Sequence, residues 1–311
     1  MSEVLLTGGT GFVGRHVVRP LVERGYRVLR VRSVATAPEP CEGVEELRCD
    51  LLDPSALEAL FGAHRPQHWL HLAWYTEHGR FWDAPQNLDW LAASARGLRH
   101  FVAHGGRRVV MAGTCAEYGP GDAPCDEHAT PLTPGSLYAT SKRALCDVLR
   151  DFAAAAGLSA AWGRIFQPYG PGEPAGRLLP SVIDALQKGE PVRCTHGRQV
   201  RDWMYVEDVA AAFAALLDSE VEGAVNIGSG VRASLREVVE TVAKRSGVAN
   251  PTLEFGALPA RPDEPQLLVA ATERLTREVG WSGARDLAAG LDATLDASKL
   301  TRGPLARAAT G

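Results

Sequence analysis

The chain has little of what marks secreted, membrane-embedded or metal-binding proteins. Its 311 residues include six cysteines, but no pair has C-x-x-C spacing and no histidine cluster has metal-ligand spacing. We therefore expect free thiols in a reducing compartment and no metal site. There is no run of 18 apolar residues, and no basic segment precedes an apolar stretch near the N-terminus. The sequence thus predicts a cytoplasmic protein that does not enter a membrane.

Strong charge of either sign is also lacking. The formal net charge is -4, which gives no electrostatic reason to expect a nucleic acid or a membrane surface as partner. A small anionic ligand would have to be bound by local groups. With 45% hydrophobic residues, the chain can bury the core of one large α/β domain and a smaller lobe.

The first half alternates short β-branched or leucine-rich runs with longer helical patterns, as in a parallel sheet covered by helices. We predict an α/β fold with a Rossmann-type, doubly wound parallel sheet over residues 1–165. Pro/Gly-rich segments with short helices then predict a smaller C-terminal lobe, mainly substrate-binding, over residues 166–299. A return to the first domain is expected near residues 200–228, and residues 300–311 are predicted to be disordered. The predicted strands are Val4–Thr7, Arg27–Arg32, Glu46–Arg48, His68–Leu72, Arg107–Ala112 and Ser159–Arg164.

A glycine-rich run, TGGTGFVG at residues 7–14, follows the first predicted strand and opens a helix. Gly8 permits the tight turn, Gly11 lets backbone N–H groups approach a pyrophosphate, and Gly14 lets the helix pack closely on the strand. Phe12 and Val13 belong to the same turn. The position and spacing predict a site for a nicotinamide dinucleotide formed by these five residues.

The end of the second strand bears on the choice of dinucleotide, because an acid there accepts hydrogen bonds from the adenosine ribose. This chain has Arg32 followed by Ser33, a pair that can bind a 2′-phosphate. We therefore predict NADP, with NAD as the other possibility. The alternative is that Arg32 is a solvated strand-end charge that stacks on adenine. Asp50 and Leu51, after the third strand, are placed to approach the adenine ring.

A hydroxyl, a phenol and an ammonium form a candidate catalytic trio. Tyr138 and Lys142 are four residues apart at the start of a predicted helix, so they share one face. A nearby ammonium and an oxidised nicotinamide would lower the pKa of the phenol and make it an effective acid/base. Thr114 follows an apolar strand and should emerge at the carboxyl edge of the sheet, where it can bind a substrate carbonyl.

With these motifs the chain resembles the extended short-chain dehydrogenase/reductases, the family of NAD(P)-dependent nucleotide-sugar epimerases, dehydratases and ketoreductases. The resemblance covers roughly residues 3–290. It implies that Leu72 and Ala73 back the nicotinamide, that Asn87 belongs to the cofactor site, and that Lys142 also bonds the nicotinamide ribose. A homodimer through two long helices is expected from the likeness. Further matching segments are His71–Ala73, Arg164–Gly172, Arg201–Ala210, Asn226–Gly228 and Arg261–Asp263.

The same resemblance implies a nucleotide-sugar substrate. Arg201 and Arg261 would clamp its diphosphate, in keeping with the bidentate geometry of guanidinium on phosphate, although each could be a surface ion pair. Leu179 would line the base pocket. Gln167 stands where the family usually has Asn, so the diphosphate contact at that position is a departure.

The segment Trp74–Trp82 is rich in aromatic and hydrogen-bonding groups and follows the strand that backs the nicotinamide. It is a candidate sugar-recognition loop, with Trp74 and Glu77 as contacts, or else a capping cluster over the core. Glu117 and His78 are possible sugar contacts or ordinary surface or buried-pair residues.

The residues after Thr114 limit the reaction. Family members that dehydrate sugars carry an Asp-Glu pair there, whereas this chain has Cys115 and Ala116, which argues against 4,6-dehydration. Cys115 is included among the substrate-site residues, although it is better explained by packing than by chemistry. We predict an NADPH-dependent reductase of a nucleotide-linked, dTDP-type 4-keto-6-deoxyhexose. The alternatives are an NAD-dependent UDP-hexose 4-epimerase and a non-catalytic NADP sensor, and the joint presence of the trio argues against the sensor.

Overall fold

The computed structural model describes residues 2–32, 41–260 and 264–300. Ser33, Arg261 and residues 301–311 of the predicted tail lie outside these ranges. In chain order, the helices are α1 Gly14–Glu23, α2 Pro54–His64, α3 Gln86–Ala103, α4 Leu137–Ala156, α5 Leu178–Lys188, α6 Val206–Asp218, α7 Leu235–Arg245 and α8 Leu287–Leu300. The strands are β1 Glu3–Thr7, β2 Arg27–Arg32, β3 Val44–Arg48, β4 His68–His71, β5 Arg108–Thr114, β6 Ser159–Ile165, β7 Gln167–Tyr169, β8 Val192–Cys194, β9 Val200–Tyr205, β10 Gly223–Ile227, β11 Arg232–Ser234, β12 Leu253–Phe255 and β13 Leu267–Leu268.

Seven strands form one parallel sheet in the order β10-β6-β5-β4-β1-β2-β3. The strand order reverses between β1 and β4. Open α/β sheets bind ligands at the carboxyl edge of such a switch point, because the loops after the two central strands diverge there. The predicted α/β fold with a doubly wound, Rossmann-type sheet is confirmed.

The central strands of this sheet are buried on both faces, as the apolar run of β5 indicates. Leu5 and Leu6 are neighbours on β1 and point to opposite faces, and both are fully buried. Leu6 packs in a cluster that includes Phe213 of α6, whereas Leu5 packs in a cluster that includes Phe61 of α2. Because a one-residue slip would exchange these faces, the register of β1 and the position of the turn that follows it are strongly specified.

The second lobe has its own core. A small sheet contains β11, β9 and β13, with β7 also paired to β9, and β8 pairs with β12. Helices α5, α7 and α8 pack around these strands. Between β9 and β11 the chain returns to the large sheet: α6 covers one face of that sheet, and β10 pairs with β6. These two elements lie within residues 200–228, and the predicted division of the chain into domains stays a prediction.

Neither a membrane-spanning helix nor a metal cluster is found in the described ranges. Across these ranges, no helix combines the length and the hydrophobicity needed to cross a membrane. In the same part of the chain, no group of three or more His, Cys, Asp or Glu side chains could hold a metal ion.

Candidate active site

A cavity of about 1380 Å³ lies along the carboxyl edge of the large sheet and continues against the second lobe. Pockets for a single small ligand usually measure about 300–1,000 Å³, so this one has room for a cofactor and a substrate together. The residues predicted from sequence that line it are Gly8, Gly11, Phe12, Val13, Gly14, Asp50, Leu51, Leu72, Ala73, Trp74, His78, Thr114, Cys115, Tyr138, Lys142, Gln167 and Arg201.

The glycine-rich turn has the close packing that its sequence predicts. Gly8 has φ +80°, and a Cβ built there would lie 2.5 Å from the backbone N of Ala73. A Cβ on Gly14 would lie 2.0 Å from the carbonyl oxygen of Gly8. The turn is closed by a hydrogen bond of 3.0 Å that the N–H of Gly11 donates to the same oxygen. Side chains at these two positions would collide with the protein's own backbone, so the glycines let the turn pack closely on Ala73 and on α1. The same turn lines the cavity at the start of α1, where a dinucleotide pyrophosphate would fit.

The structure brings the three catalytic candidates together. Thr114 ends β5, while Tyr138 and Lys142 lie in the first turns of α4, whose start is capped by the Ser136 hydroxyl accepting from Ala139 N–H at 3.2 Å. The Thr114 and Tyr138 side chains are hydrogen-bonded to each other. Lys142 is 3% exposed, and its Nζ donates to the carbonyl oxygen of Ala112 on β5 at 2.9 Å.

The surroundings shift the pKa values of Tyr138 and Lys142, the two titrating members of the trio. Removal from bulk water raises the pKa of the Tyr138 phenol, and its hydrogen bond with Thr114 opposes that rise. Burial lowers the pKa of Lys142 to about 7, against an opposing effect of the Glu117 carboxylate. The resting phenol is therefore protonated at neutral pH. A positively charged group near it would be needed to lower its pKa for base catalysis.

Aromatic residues from the segment Trp74–Trp82 pack directly on the trio. The Nζ of Lys142 lies 3.8 Å from the centroid of the Trp74 ring, a cation–π contact. Phe81 and Trp82 each meet the Tyr138 ring edge to face, at 4.9 Å and 5.9 Å between centroids. The segment thus lines the cavity and packs on the phenol and the ammonium, and its role in sugar recognition stays a prediction.

Four of the predicted site residues are not among the described residues that line the cavity, and each has another environment. Asn87 is buried: it accepts from Trp74 Nε1 at 2.8 Å and donates to the carbonyl of Phe81. Leu179 is fully buried in the core of the second lobe. Glu77 is exposed, accepts from the Tyr75 hydroxyl and pairs with Arg80. The fourth, Arg32, ends β2, with its Nε 3.9 Å from an oxygen of Glu46.

Arg177 and Glu264 are charged residues of the site that were not predicted from sequence. Arg177 lines the cavity, with its guanidinium carbon 6.0 Å from the Phe12 ring centroid. Glu264 lines it too and accepts from Arg201 Nη2 at 2.7 Å. No motif used in the sequence analysis includes either residue: Arg177 immediately precedes α5, and Glu264 immediately follows the segment Arg261–Asp263. Both are far in the chain from the residues they meet, and only the folded second lobe brings them to the edge of the first.

Comparison with known proteins identifies the family. The sequence pattern of the NAD dependent epimerase/dehydratase family matches residues 4–228. The chain belongs to this family. It is 31% identical to the UDP-glucose 4-epimerase of Streptomyces lividans over 322 aligned residues, which cover 94% of this chain and 95% of that protein. The predicted resemblance to the extended short-chain dehydrogenase/reductases is confirmed.

Solved structures support the same assignment. The UDP-glucose 4-epimerase of Thermus thermophilus in complex with NAD is 28% identical, with a TM-score of 0.83 over 96% of this chain and 99% of that one. TunA, an NAD dependent NDP-hexosamine 5,6-dehydratase, is also 28% identical, with a TM-score of 0.82 over 96% of this chain and 98% of that one. The chain is thus an NAD-dependent enzyme of the epimerase/dehydratase class. Its relatives catalyse different reactions, so the reaction must be inferred from the site.

Proposed function

We propose that this enzyme is an NAD-dependent 4-epimerase of nucleotide-linked hexoses, with a UDP-hexose as substrate. The observation that carries the proposal is the hydrogen-bonded Thr114–Tyr138 pair beside buried Lys142, followed by Cys115 and Ala116 rather than by two carboxylates. Epimerisation at C4 needs one proton relay and reversible hydride transfer, and this trio supplies the relay. The likeness to UDP-glucose 4-epimerases supports the same choice.

The residues present fit the cofactor, since the Gly8–Gly14 turn lines the cavity at the start of α1. A bound NAD would supply the acceptor and the donor of hydride at C4. Tyr138 takes the proton of the C4 hydroxyl in the oxidation and returns it in the reduction, so the cycle is balanced in protons. Thr114 orients the oxygen at C4. Lys142 stabilises the phenolate form of Tyr138 through its positive charge.

The substrate diphosphate would lie against cations from the second lobe. Arg201 lines the cavity and is oriented by Glu264, and Arg177 lines it from the segment before α5. Guanidinium groups bind phosphate oxygens with two parallel hydrogen bonds. We therefore propose that Arg201 and Arg177 bind the diphosphate, with Gln167 beside them. The predicted partner Arg261 lies outside the described residues.

A second candidate is NADPH-dependent reduction of a nucleotide-linked 4-keto-6-deoxyhexose. The observation that favours it is Arg32, which ends β2 where a carboxylate would select the unphosphorylated ribose. The same hydroxyl and phenol would serve as orienting group and acid. A non-catalytic NADP sensor is less well supported, because it has no use for a hydroxyl, a phenol and an ammonium in contact.

One experiment separates these candidates. Protein purified without added cofactor is expected to release bound NAD on denaturation and to bring UDP-glucose and UDP-galactose to one common mixture without NADPH. Product ratios by liquid chromatography and the cofactor content would be measured. NADPH oxidation dependent on a dTDP-4-keto-6-deoxyhexose, without UDP-hexose interconversion, would overturn the epimerase and support the reductase. A protein that catalyses neither reaction would support the non-catalytic NADP sensor.

We also propose a homodimer formed through α3 and α4. Leu88 on α3 and Val148 on α4 are 53% and 43% exposed, although large apolar side chains are usually buried. Analytical ultracentrifugation is expected to give twice the chain mass of 33.3 kDa, and Leu88→Arg with Val148→Arg to give the monomer mass. Val231→Arg, at an equally exposed apolar side chain outside these helices, is the matched control. A wild-type monomer would refute the proposal.

A further inference from the structure

Beneath the trio lies a buried ion pair that the proposed mechanism does not use. Glu117 is 0% exposed, and its Oε2 accepts from Arg164 Nε at 2.9 Å, with Arg164 2% exposed. The Arg164 guanidinium also donates to the hydroxyl of Tyr118 at 3.0 Å, and that hydroxyl donates to Asn226 at 2.7 Å. Fully buried pairs are costly to form and stabilise a fold poorly, so such a pair is a candidate for another role.

The carboxylate of this pair holds the backbone of the catalytic threonine. Glu117 Oε1 accepts from the N–H of Thr114 at 2.9 Å, while the Thr114 hydroxyl accepts from Ala116 N–H at 3.2 Å. These reciprocal bonds form a capping box around the short turn Cys115–Glu117. The orientation of the Thr114 side chain toward Tyr138 is thereby tied to Glu117.

The same carboxylate is separated from the catalytic lysine by a single indole. Trp162 Nε1 donates to Glu117 at 3.0 Å, and the Nζ of Lys142 lies 5.8 Å from the centroid of the Trp162 ring. All three side chains are buried, so solvent screens their electrostatic interaction little. Burial lowers the pKa of Lys142 to about 7, and the charge of Glu117 opposes that effect.

The other titratable groups around Lys142 carry no charge at neutral pH. Burial lowers the pKa of His71 on β4 to about 3 and raises that of Cys146 on α4 to about 12. Tyr138, on the same helix, has a pKa raised by its removal from water. Of the described groups, Glu117 is therefore the anion that favours the charged form of Lys142, and Arg164 on β6 is its counter-ion.

We propose that Glu117 is a positioning residue with two functions: its carboxylate fixes the backbone of Thr114, and its negative charge keeps Lys142 an ammonium ion beside Tyr138. Arg164 makes the buried carboxylate tolerable to the fold. The catalytic consequence rests on the proposed function, whereas the charge of Lys142 does not and can be measured on the protein alone.

The charge is tested by NMR of the full chain labelled with ¹³C at lysine Cε. The chain has four lysines, and Lys142→Met would assign the resonance of interest. Glu117→Gln keeps the hydrogen-bond acceptor and removes the charge, and it is expected to lower the titration midpoint of Lys142 by about one pH unit or more. Glu117→Gln with Arg164→Gln, which also removes the counter-ion of the carboxylate, should lower it by less.

Glu278→Gln is the matched control for the charge. It removes a carboxylate paired with Arg274 at 2.8 Å on the surface and should leave the midpoint unchanged. If Glu117→Gln alone fails to fold, the proposal still predicts that the double variant has a Lys142 titration midpoint below that of the wild type. An unchanged or raised midpoint in the folded variants would overturn the electrostatic function of Glu117.

The positioning of Thr114 is tested by two charge-balanced variants in the epimerase assay. Glu117→Ala with Arg164→Gln lacks the acceptor for the Thr114 N–H, whereas Glu117→Gln with Arg164→Gln retains it. The alanine pair is expected to have a kcat lower by about tenfold or more at unchanged KM, since small displacements of catalytic groups cost up to about a hundredfold. Equal kcat values would overturn the positioning function. Inactivity of the wild type would instead refute the proposed function and leave the NMR result standing.

Discussion

Replacement of Tyr138 by Phe should lower kcat by about 10²–10⁴-fold, the range that a positioned acid/base contributes. Phenylalanine preserves the ring contacts with Phe81 and Trp82 and removes only the hydroxyl that bonds Thr114. NAD affinity and melting temperature should therefore change little. Initial rates of UDP-hexose interconversion, NAD titration by fluorescence and thermal unfolding would measure the three quantities.

Tyr75→Phe is the matched control for this substitution. Tyr75 belongs to the segment Trp74–Trp82, which packs on Tyr138. Its hydroxyl, however, donates to exposed Glu77 at 2.7 Å, outside the cavity. The control should retain the wild-type rate. A Tyr138→Phe enzyme as active as the control would defeat the assignment of Tyr138 as acid/base, whichever sugar is the substrate.

Substitution of Gly14 by Ala should weaken NAD binding by at least about tenfold and lower the melting temperature, because overpacking of this kind costs about 1–3 kcal/mol. The added Cβ would lie 2.0 Å from the carbonyl oxygen of Gly8, and backbone cannot give way as a flexible side chain can. Either α1 or the turn must move. Both carry the N–H groups that would bind the pyrophosphate. Isothermal titration with NAD and thermal unfolding would measure the effects.

Gly121→Ala tests whether the effect is local. A Cβ at Gly121 meets nothing within 4 Å, and Gly121 is not among the glycines with positive φ. This variant should bind NAD as the wild type does. Unchanged NAD affinity in Gly14→Ala would show that the turn after β1 is not the pyrophosphate site.

Predictions from sequence agree with the structure where they rest on local geometry. The run at residues 7–14 forms a closed turn at the start of α1, and the four-residue spacing of Tyr138 and Lys142 places both in the cavity. Predicted strand ends lie within two residues of those observed, as in β5. These features depend on contacts between residues close in the chain or on apolar runs, and both are readable from one sequence.

Some residues that were assigned to the site by family likeness do not line the cavity in the described part of the chain. Asn87 holds the Trp74 indole and the loop backbone instead of lining the cavity. Leu179 points into the core of its lobe, because the helical position that faces solvent or ligand depends on where α5 begins. The NADP preference inferred from Arg32 and Ser33 has no support among relatives such as the NAD-bound Thermus thermophilus enzyme.

The amino-acid sequence by itself determined the class of fold, the glycine turn and the trio, since each rests on short-range geometry and on the periodic burial of apolar residues. Tertiary structure alone decided which charges surround the trio. Glu117 meets Arg164 and Trp162 across more than forty residues, and Arg177 meets the edge of the first domain only after the second lobe has folded. Electrostatic interactions depend on distance and burial, and neither quantity is encoded in the spacing of residues along the chain.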